Sequence, residues 1–172
     1  MQTMLSCCCI NITGENNGSK EKVQGTVVLM KKNVLDFNDF HASFLDNVHE
    51  LVGQRVSLQL VSAVNGDSGA NGLHGKVGEP AYLEDWITSI TPLAAGESAF
   101  NVYFDWDEEE IGVPGAFIIT NNHHSEFYLK TVTLDDFPGQ GRIHFVCNSW
   151  VYPAKHYKYD RVFFSNKASN RH

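Results

Sequence analysis

The segment NNHHSEF, residues 121–127, carries two adjacent histidines and a glutamate, side chains that could begin a metal site. We expect His123 and His124 to lie where a strand begins, and successive side chains of a strand point to opposite faces. The two imidazoles are therefore not expected to share a metal ion. His124 and Glu126 can share a face, which supplies two ligands. A catalytic zinc or iron site needs three or more ligands and a supporting shell, so a solvated turn is the favoured interpretation.

The acidic loop WDEEE, residues 106–110, together with Asp105 just before it, carries a second set of possible metal ligands. Several carboxylates in one short loop suit calcium, which accepts oxygen ligands in irregular geometry. A solvated acidic loop is the simpler interpretation and the favoured one. The candidate calcium ligands are Asp105, Asp107, Glu108 and Glu109 in this segment, with Glu84, Asp85, Asp135 and Asp136 as possible neighbours in space.

Aromatic side chains near turns are the candidates for contact with a membrane surface. An amphipathic ring at a loop tip can rest at the depth of the lipid headgroups. Phe137, in the turn DDFPGQG, is the first candidate because a turn rarely hides a Phe fully. Trp86 and Trp106 are further candidates, although each falls within a predicted strand, where it would instead belong to the core.

The segment WVYPAKHYKYDR, residues 150–161, interleaves aromatic and basic side chains. Taken alone, this mixture is typical of a lipid headgroup site or of a stacking surface for nucleic acid. The formal net charge of −7 repels nucleic acid phosphates, so nucleic acid is not expected as a partner. The residues of interest are Trp150, Tyr152, Lys155, Tyr157, Lys158, Tyr159 and Arg161.

Length and composition indicate one globular domain. A chain of 172 residues that is 42% hydrophobic and 12% aromatic can bury a substantial core. No run of 18 apolar residues occurs, and the first residues show neither a secretory signal nor a transit peptide. We therefore expect a cytoplasmic monomer, in contact with a membrane at most peripherally.

The four cysteines form neither a disulfide framework nor paired metal knuckles. Cys7, Cys8 and Cys9 are consecutive, in a polar segment that we expect to be a flexible leader over residues 1–22. Acylation of these three thiols is a minor alternative. Cys147 lies on the apolar side of a predicted strand, so it is interpreted as a core thiol rather than a nucleophile.

Short β-rich runs separated by Gly, Pro, Asn and Asp predict an all-β, eight-stranded antiparallel sandwich with one helical segment. The spacing of apolar residues predicts that helix over residues 36–51. In the strand that contains Phe100, apolar residues alternate with polar ones, which is typical of a half-buried strand. Phe145 and Cys147 are predicted to point inward in the same way. The predicted strands are 24–32, 55–62, 81–90, 98–106, 115–121, 125–134, 141–152 and 160–166.

Several of these runs, in this order, resemble the N-terminal domain of plant lipoxygenases. They are GTVVLMKKNVLDFND, ELVGQRVSLQLVSA, FDWDEEEIGVPGAFII, EFYLKTVTL and GRIHFVCNSWVYPAKHYKYDRVFFSN. That domain is a PLAT-type, or lipoxygenase-homology, β-sandwich, and the resemblance covers residues 23–167. It is closest to the cytosolic linoleate 9-lipoxygenases. Residues 168–172 depart from the family pattern and are interpreted as a non-family tail.

The resemblance also implies what this chain does not carry. In the family, a large helical domain follows the sandwich and holds the non-haem iron that oxygenates linoleate. We therefore expect no catalytic residues and no bound cofactor here, with calcium as the one possible ion because some PLAT domains bind it before docking to membranes. The resemblance also implies that residues 150–161 face the catalytic domain in the full enzyme.

These observations predict a non-catalytic PLAT domain that binds a lipid surface or a protein, in the context of fatty acid and oxylipin metabolism. One alternative is a fragment of a linoleate 9S-lipoxygenase whose iron-containing domain is missing. Another is a regulatory partner that binds a full-length lipoxygenase through residues 150–161.

Overall fold

The computed structural model describes residues 21–31, 53–66, 75–87, 97–157 and 159–166. The predicted helix over 36–51, the tail 168–172, the three consecutive cysteines and most of the predicted leader lie outside these residues. Within them the chain forms nine strands, one helical turn and one short 3-10 turn. They are β1 (Glu21–Lys31), β2 (Gly53–Gly66), β3 (Gly75–Val77), β4 (Ala81–Ile87), β5 (Glu97–Trp106), α1 (Glu108–Ile111), β6 (Pro114–Asn121), β7 (Phe127–Phe137), β8 (Gly141–Val151), the 3-10 turn Ala154–His156, and β9 (Arg161–Phe164).

All eight predicted strands are present, and every strand pairing in the described residues is antiparallel. The short strand β3, which pairs only with β2, was not predicted. No helix in the described part of the chain is long and apolar enough to cross a bilayer.

The strands follow the spatial order β8-β7-β1-β5-β4-β2-β6-β9. This sheet folds back on itself, so that its two halves pack face to face and its first and last strands meet. Where they meet, the backbone N–H of Asn166, just after β9, donates to the carbonyl of His144 on β8 at 3.0 Å. The result is a nearly closed antiparallel sandwich, as predicted.

The core lies between the two halves. It is filled by the side chains that point inward as residues alternate along each strand. Phe100, Phe104, Phe117 and Phe145 are each at most 1% exposed. The rings of Phe117 on β6 and Phe145 on β8 meet edge to face with centroids 5.0 Å apart, an arrangement that aromatic pairs prefer. The inward orientation predicted for Phe145 is confirmed.

Strand β7 changes its inward side twice. Phe127 and Leu129 point inward, then Val132 and Leu134, and finally Phe137, because an extra residue interrupts the pairing after Leu129 and again after Leu134. At the second interruption Asp136 has a φ of 50°.

Phe137 is consequently only 1% exposed. Its predicted contact with a membrane is wrong, because the second bulge of β7 turns this side chain from the loop tip into the core.

Cys147 packs against the core from β8, as predicted. Burial raises the pKa of its thiol from 9.0 to about 12, and a backbone hydrogen bond from Val132 opposes this only in part. The thiolate is therefore scarce at neutral pH, as expected of a structural cysteine.

Polar contacts cover the outer surface of β1, β5, β7 and β8, which we call the polar face. Thr133 bonds to the Nδ1 atom of His144 at 2.8 Å, and Lys130 forms an ion pair with Glu97. Two more side-chain contacts link Gln24 to Asn101 at 3.3 Å and Arg142 to Asp135 at 3.3 Å.

Candidate interaction site

The turn between β6 and β7 holds the two adjacent histidines. Asn121 organises it from within the fold: its side-chain amide donates to the carbonyls of Ser125, at 2.9 Å, and Val151, at 3.3 Å. Its side-chain oxygen accepts the backbone N–H of His123 at 2.9 Å. The turn is thereby fixed to the end of β8.

His123 and His124 lie on the same side of this turn, with ring centroids 3.9 Å apart. The prediction that they point to opposite faces is wrong, because residues 122–126 form a turn and not a strand. His123 is buried, and its Nδ1 accepts the backbone N–H of Ser125 at 3.0 Å, so this nitrogen carries no proton. His123 therefore has a structural role in shaping the turn.

The segment after β8 places tyrosines beside the histidine turn. Pro153 is buried and anchors the 3-10 turn, in which the backbone N–H of His156 donates to the carbonyl of Pro153 at 2.9 Å. This turn brings the rings of Tyr152 and Tyr157 together, nearly parallel at 16° and with centroids 6.0 Å apart. Tyr152, Tyr157 and Tyr159, which we call the tyrosine cluster, are 45%, 44% and 80% exposed.

A cavity of about 390 Å³ opens between the histidine turn and the tyrosine cluster. Its volume falls within the range of roughly 300 to 1,000 Å³ that is usual for small-molecule sites. Two imidazoles, a carboxylate and two tyrosines provide both hydrogen-bond donors and acceptors around an aromatic wall. The cavity is lined by His124, Glu126, Tyr152, Pro153, His156 and Tyr157.

His124 and Glu126 thus do share one side, as predicted. The sequence patterns did not connect them with the tyrosine segment, and they did not single out His156. The pairing of β7 with β8, which sets Phe127 opposite Val151, and the hydrogen bond from Asn121 to Val151 bring the two segments together.

Trp150 and Arg161, predicted at a partner interface, are half-buried by contacts within the domain. The indole of Trp150 packs edge to face on Tyr128, with centroids 5.4 Å apart. Arg161 donates to the hydroxyl of Ser149 and, at 3.3 Å, to the carbonyl of Trp150. Of the predicted interface, Tyr152, Lys155, Tyr157 and Tyr159 are therefore the exposed part, and Lys158 lies outside the described residues.

The carboxylates predicted as calcium ligands do not converge. Within the described ranges, no three His, Cys, Asp or Glu side chains are grouped so that they could hold a metal ion. Asp105 is on the exposed side of β5, Glu108 begins α1, and Glu84 is exposed on β4. The segment is not one acidic loop, because a strand and a helical turn divide it at Asp107. The side chain of Asp85 lies outside what the structure describes.

Trp106, a second predicted membrane contact, is 1% exposed. Its indole N–H donates to the carbonyl of Gly112 at 2.8 Å, and the ring packs so close to Gly78 that a Cβ atom there would approach it to 2.9 Å. The prediction is wrong because the alternation of β5 directs Trp106 into the core. The backbone of Trp86 pairs with Phe100, and the position of its side chain lies outside the described residues.

Two exposed apolar side chains of β9, Val162 and Phe164, were not predicted to have a role. The sequence RVFF contained the signal, because strict alternation must turn one of its two adjacent phenylalanines outward. Phe163 packs on Phe117 in the core at 5.3 Å, which leaves Val162 and Phe164 on the outer surface.

Comparison with known proteins shows that the sequence of this chain is similar to lipoxygenase sequences. Residues 56–164 match the PLAT/LH2 domain family. The chain is 64% identical over 157 residues to the probable linoleate 9S-lipoxygenase 5 of Solanum tuberosum, covering 91% of this chain and 18% of that protein. It is 64% identical over 154 residues to linoleate 9S-lipoxygenase 1 of Arabidopsis thaliana, and 60% identical over 149 residues to linoleate 9S-lipoxygenase B of Solanum lycopersicum. These matches cover 90% and 87% of this chain, and the chain spans only 18% and 17% of those relatives.

Proposed function

The chain belongs to the PLAT/LH2 domain family, and we propose that it is a non-catalytic interaction domain of a lipoxygenase-type protein that binds lipid surfaces through its tyrosine cluster. The observation that carries this proposal is the exposure of three tyrosines in the segment after β8, two of which, Tyr152 and Tyr157, line the cavity. The domain would act as a peripheral membrane contact for lipoxygenase chemistry performed elsewhere.

The chemistry of the tyrosine cluster supports a lipid surface as the ligand. A tyrosine presents an apolar ring with a polar tip, which suits the boundary between headgroups and acyl chains. Lys155 is exposed within the same turn and can attract anionic headgroups. Tyr157 lies two residues after Lys155 and Tyr159 lies four residues after it, so aromatic rings and a positive charge occur in one short exposed segment.

The cavity beside the cluster supports recognition of a polar headgroup. Its imidazoles and tyrosine hydroxyls can donate to phosphate oxygens, and its carboxylate and aromatic wall suit a positively charged group. A zwitterionic headgroup carries both kinds of charge within a few ångströms. The cavity can therefore orient a headgroup while the tyrosine rings rest at the interface.

The packed interior supports a non-catalytic role. Linoleate oxygenation by the family requires an apolar channel beside its iron, whereas the inward side chains of this sandwich fill the space between its halves. The chain spans about 18% of the length of its relatives, so that activity belongs to a larger polypeptide.

Co-sedimentation with liposomes tests this proposal. The chain is expected to pellet with vesicles of zwitterionic lipid and more strongly when anionic lipid is added, whereas Tyr157→Ser/Tyr159→Ser should weaken binding by about tenfold or more. Tyr103→Ser, on the polar face, is the matched control and should bind like the unmodified chain. Parallel samples with calcium and with a chelator measure any contribution of that ion.

Two results would contradict the proposal. Vesicles that never retain the chain, or retain the double variant equally well, would remove the lipid-binding role. Oxygen uptake with linoleate above background would remove the non-catalytic assignment.

A further inference from the structure

Arg161 lies at the seam where the first and last strands of the sheet meet. It begins β9, and its Nη2 atom donates to the hydroxyl oxygen of Ser149 and to the carbonyl of Trp150 on β8. Its Nε atom is buried and makes no hydrogen bond with protein, the one buried side-chain nitrogen or oxygen in the described part of the chain of which this is true. A buried donor without an acceptor costs free energy, so an acceptor at this point would stabilise the seam.

The positive charge of Arg161 also lacks a counter-charge. No acidic side chain in the described ranges forms an ion pair with it, whereas Lys130 and Arg142 on the polar face each have one. The chain carries 20 acidic and 13 basic residues, so carboxylates are not scarce. The Cζ atom of Arg161 instead lies 5.6 Å from the ring centroid of Phe163, a contact that attracts the cation but supplies no oxygen acceptor. An anion would stabilise a half-buried guanidinium in this setting.

We propose that Arg161 and Ser149 bind a phosphate group at this seam. The guanidinium fork of an arginine matches phosphate oxygens and can donate to them through more than one nitrogen. Because the hydroxyl oxygen of Ser149 already accepts from Nη2, its O–H is able to donate to the same ligand. Donors from β8 and β9 would then converge on one tetrahedral group and join the two strands.

The seam can admit a ligand because few contacts hold it closed. Strand β9 has four residues and pairs with β6, and the described strands show no pairing of β9 with β8. The backbone N–H of Asn166 donates to the carbonyl of His144 at 3.0 Å, and its side-chain oxygen accepts from the N–H of Val146 at a long 3.5 Å. Such a weakly held edge opens locally at low cost, and a small outward movement of β9 gives a ligand oxygen access to Nε of Arg161.

The site lies at the base of the segment that carries the tyrosine cluster. Trp150, whose carbonyl accepts from Arg161, is two residues before Tyr152, and Arg161 is two residues after Tyr159. The contact between Trp150 and Arg161 therefore joins the two ends of this segment. When the tyrosine rings rest on a membrane, the phosphate would be that of a lipid headgroup, and this part of the inference rests on the proposed function. A free phosphate ester offers the same chemistry in solution.

Nuclear magnetic resonance of the isotope-labelled chain tests the site, because the Nε–H of Arg161 gives its own signal, which Arg161→Lys identifies by its loss. Inorganic phosphate or glycerol phosphate should shift this signal along a saturating curve, whereas sodium chloride of matched ionic strength should shift it little. Acetate should bind about fivefold more weakly, because it carries a single charge. Ser149→Ala should weaken phosphate binding about tenfold. Arg142→Gln is the matched control, since this arginine is 74% exposed and already paired with Asp135, and phosphate binding should not change.

Vesicles separate the two sources of phosphate. Arg161→Lys keeps the positive charge but loses the fork, so it should lower retention by phospholipid vesicles about fivefold. Retention by vesicles of a galactolipid, which carries no phosphate, should not change. Equal losses from both kinds of vesicle would mean that the substitution disturbs the tyrosine cluster, and the lipid source of the phosphate would be rejected.

The two proposals fail in different ways. An Nε signal that ignores phosphate, or that follows chloride or acetate equally, would overturn the phosphate site, and vesicle binding by the tyrosine cluster would still stand. A saturating response to phosphate in a chain that no vesicle retains would remove the proposed function and assign the site to free phosphate esters.

Discussion

On the polar face, the outward side chains of neighbouring strands bond to one another, as in the pairs Thr133–His144 and Lys130–Glu97. On the outer surface of β9, β6, β2 and β3, which we call the apolar face, the outward residues of neighbouring strands are apolar, from the exposed Phe164 through the buried Ala116 to the exposed Val77. Both faces lie over the same core and follow the same alternation. The alternation of the strands therefore does not by itself require the outer residues of either face to be apolar.

The comparison also separates two kinds of exposed aromatic residue. Phe164 lies on a sheet surface among other apolar groups, whereas the tyrosines at the end of the sandwich have polar tips and stand beside a polar cavity. The first environment suits a dry protein interface, and the second suits a wet boundary such as the lipid headgroup region.

The largest expected effect tests whether inside and outside are assigned correctly on β8. Phe145→Ala removes a fully buried ring that packs on Phe117, and it should cost about 3 to 5 kcal/mol of unfolding free energy. Val146→Ala, at the next residue on the polar face, should change stability little. Urea titration measures both, and equal costs for the two variants would invalidate the comparison of the outer faces.

The reactivity of Cys147 is a second test of which side chains of β8 face the core. Because burial raises the pKa of its thiol from 9.0 to about 12, its alkylation by iodoacetamide at pH 8 should be about a hundredfold slower in the folded chain than in urea. Mass spectrometry of the peptide that contains Cys147 follows the reaction. Rapid labelling of the folded chain would place this thiol on the surface.

The same shift in pKa predicts how stability depends on pH. The folded state binds the thiol proton more tightly than the unfolded state, so the contribution of Cys147 is fully present below pH 9.0 and is lost as the pH rises toward about 12. In Cys147→Ala this part of the alkaline loss of stability should disappear. Urea titrations of both chains above and below pH 9 would measure the difference.

An intermediate effect is expected from the ion pair of the polar face. Lys130→Met removes an ion-pair partner of Glu97, whose side chain is only 6% exposed, and it should cost on the order of 1 to 3 kcal/mol. Lys155→Met changes an exposed lysine of the 3-10 turn and serves as the control. If Lys130→Met lowered the free energy of unfolding no more than this control, the polar pairs would not contribute to stability. The contrast between the two faces would then weaken.

The smallest effect is expected on the apolar face. Phe164→Ser in the isolated chain should change the free energy of unfolding by no more than about 0.5 kcal/mol, because the ring is largely exposed. A loss of several kcal/mol in urea titration would mean that Phe164 supports the fold of this domain. The apolar residues of β9 would then be explained by the stability of the domain alone.

The sequence predicted the strands well because their alternation is local information. The burial of Phe145 and the packing of Cys147 followed directly from it. Burial of Phe137 could not be predicted, since it depends on an extra residue at Asp136, which is recognised only when β7 is aligned against β8.

The candidate site was harder to predict than the fold because it depends on contacts between distant segments. The cavity joins Glu126 to Tyr157, residues 31 positions apart, and no periodic pattern links them. Strand β3 has three residues, too few to show a period. The apolar face could be predicted in part, because alternation in RVFF must expose either Phe163 or Phe164, but its extension to Val77 required the pairing of four strands.

The two bulges of β7 behave like a frameshift and its suppressor. Inward residues are odd-numbered at Phe127 and Leu129, even-numbered at Val132 and Leu134, and odd-numbered again at Phe137. Removing one residue at either bulge would turn part of the strand inside out, whereas removing one at both would restore the parity of its two ends. Single-residue deletions in this strand should therefore be tolerated in compensating pairs and not alone.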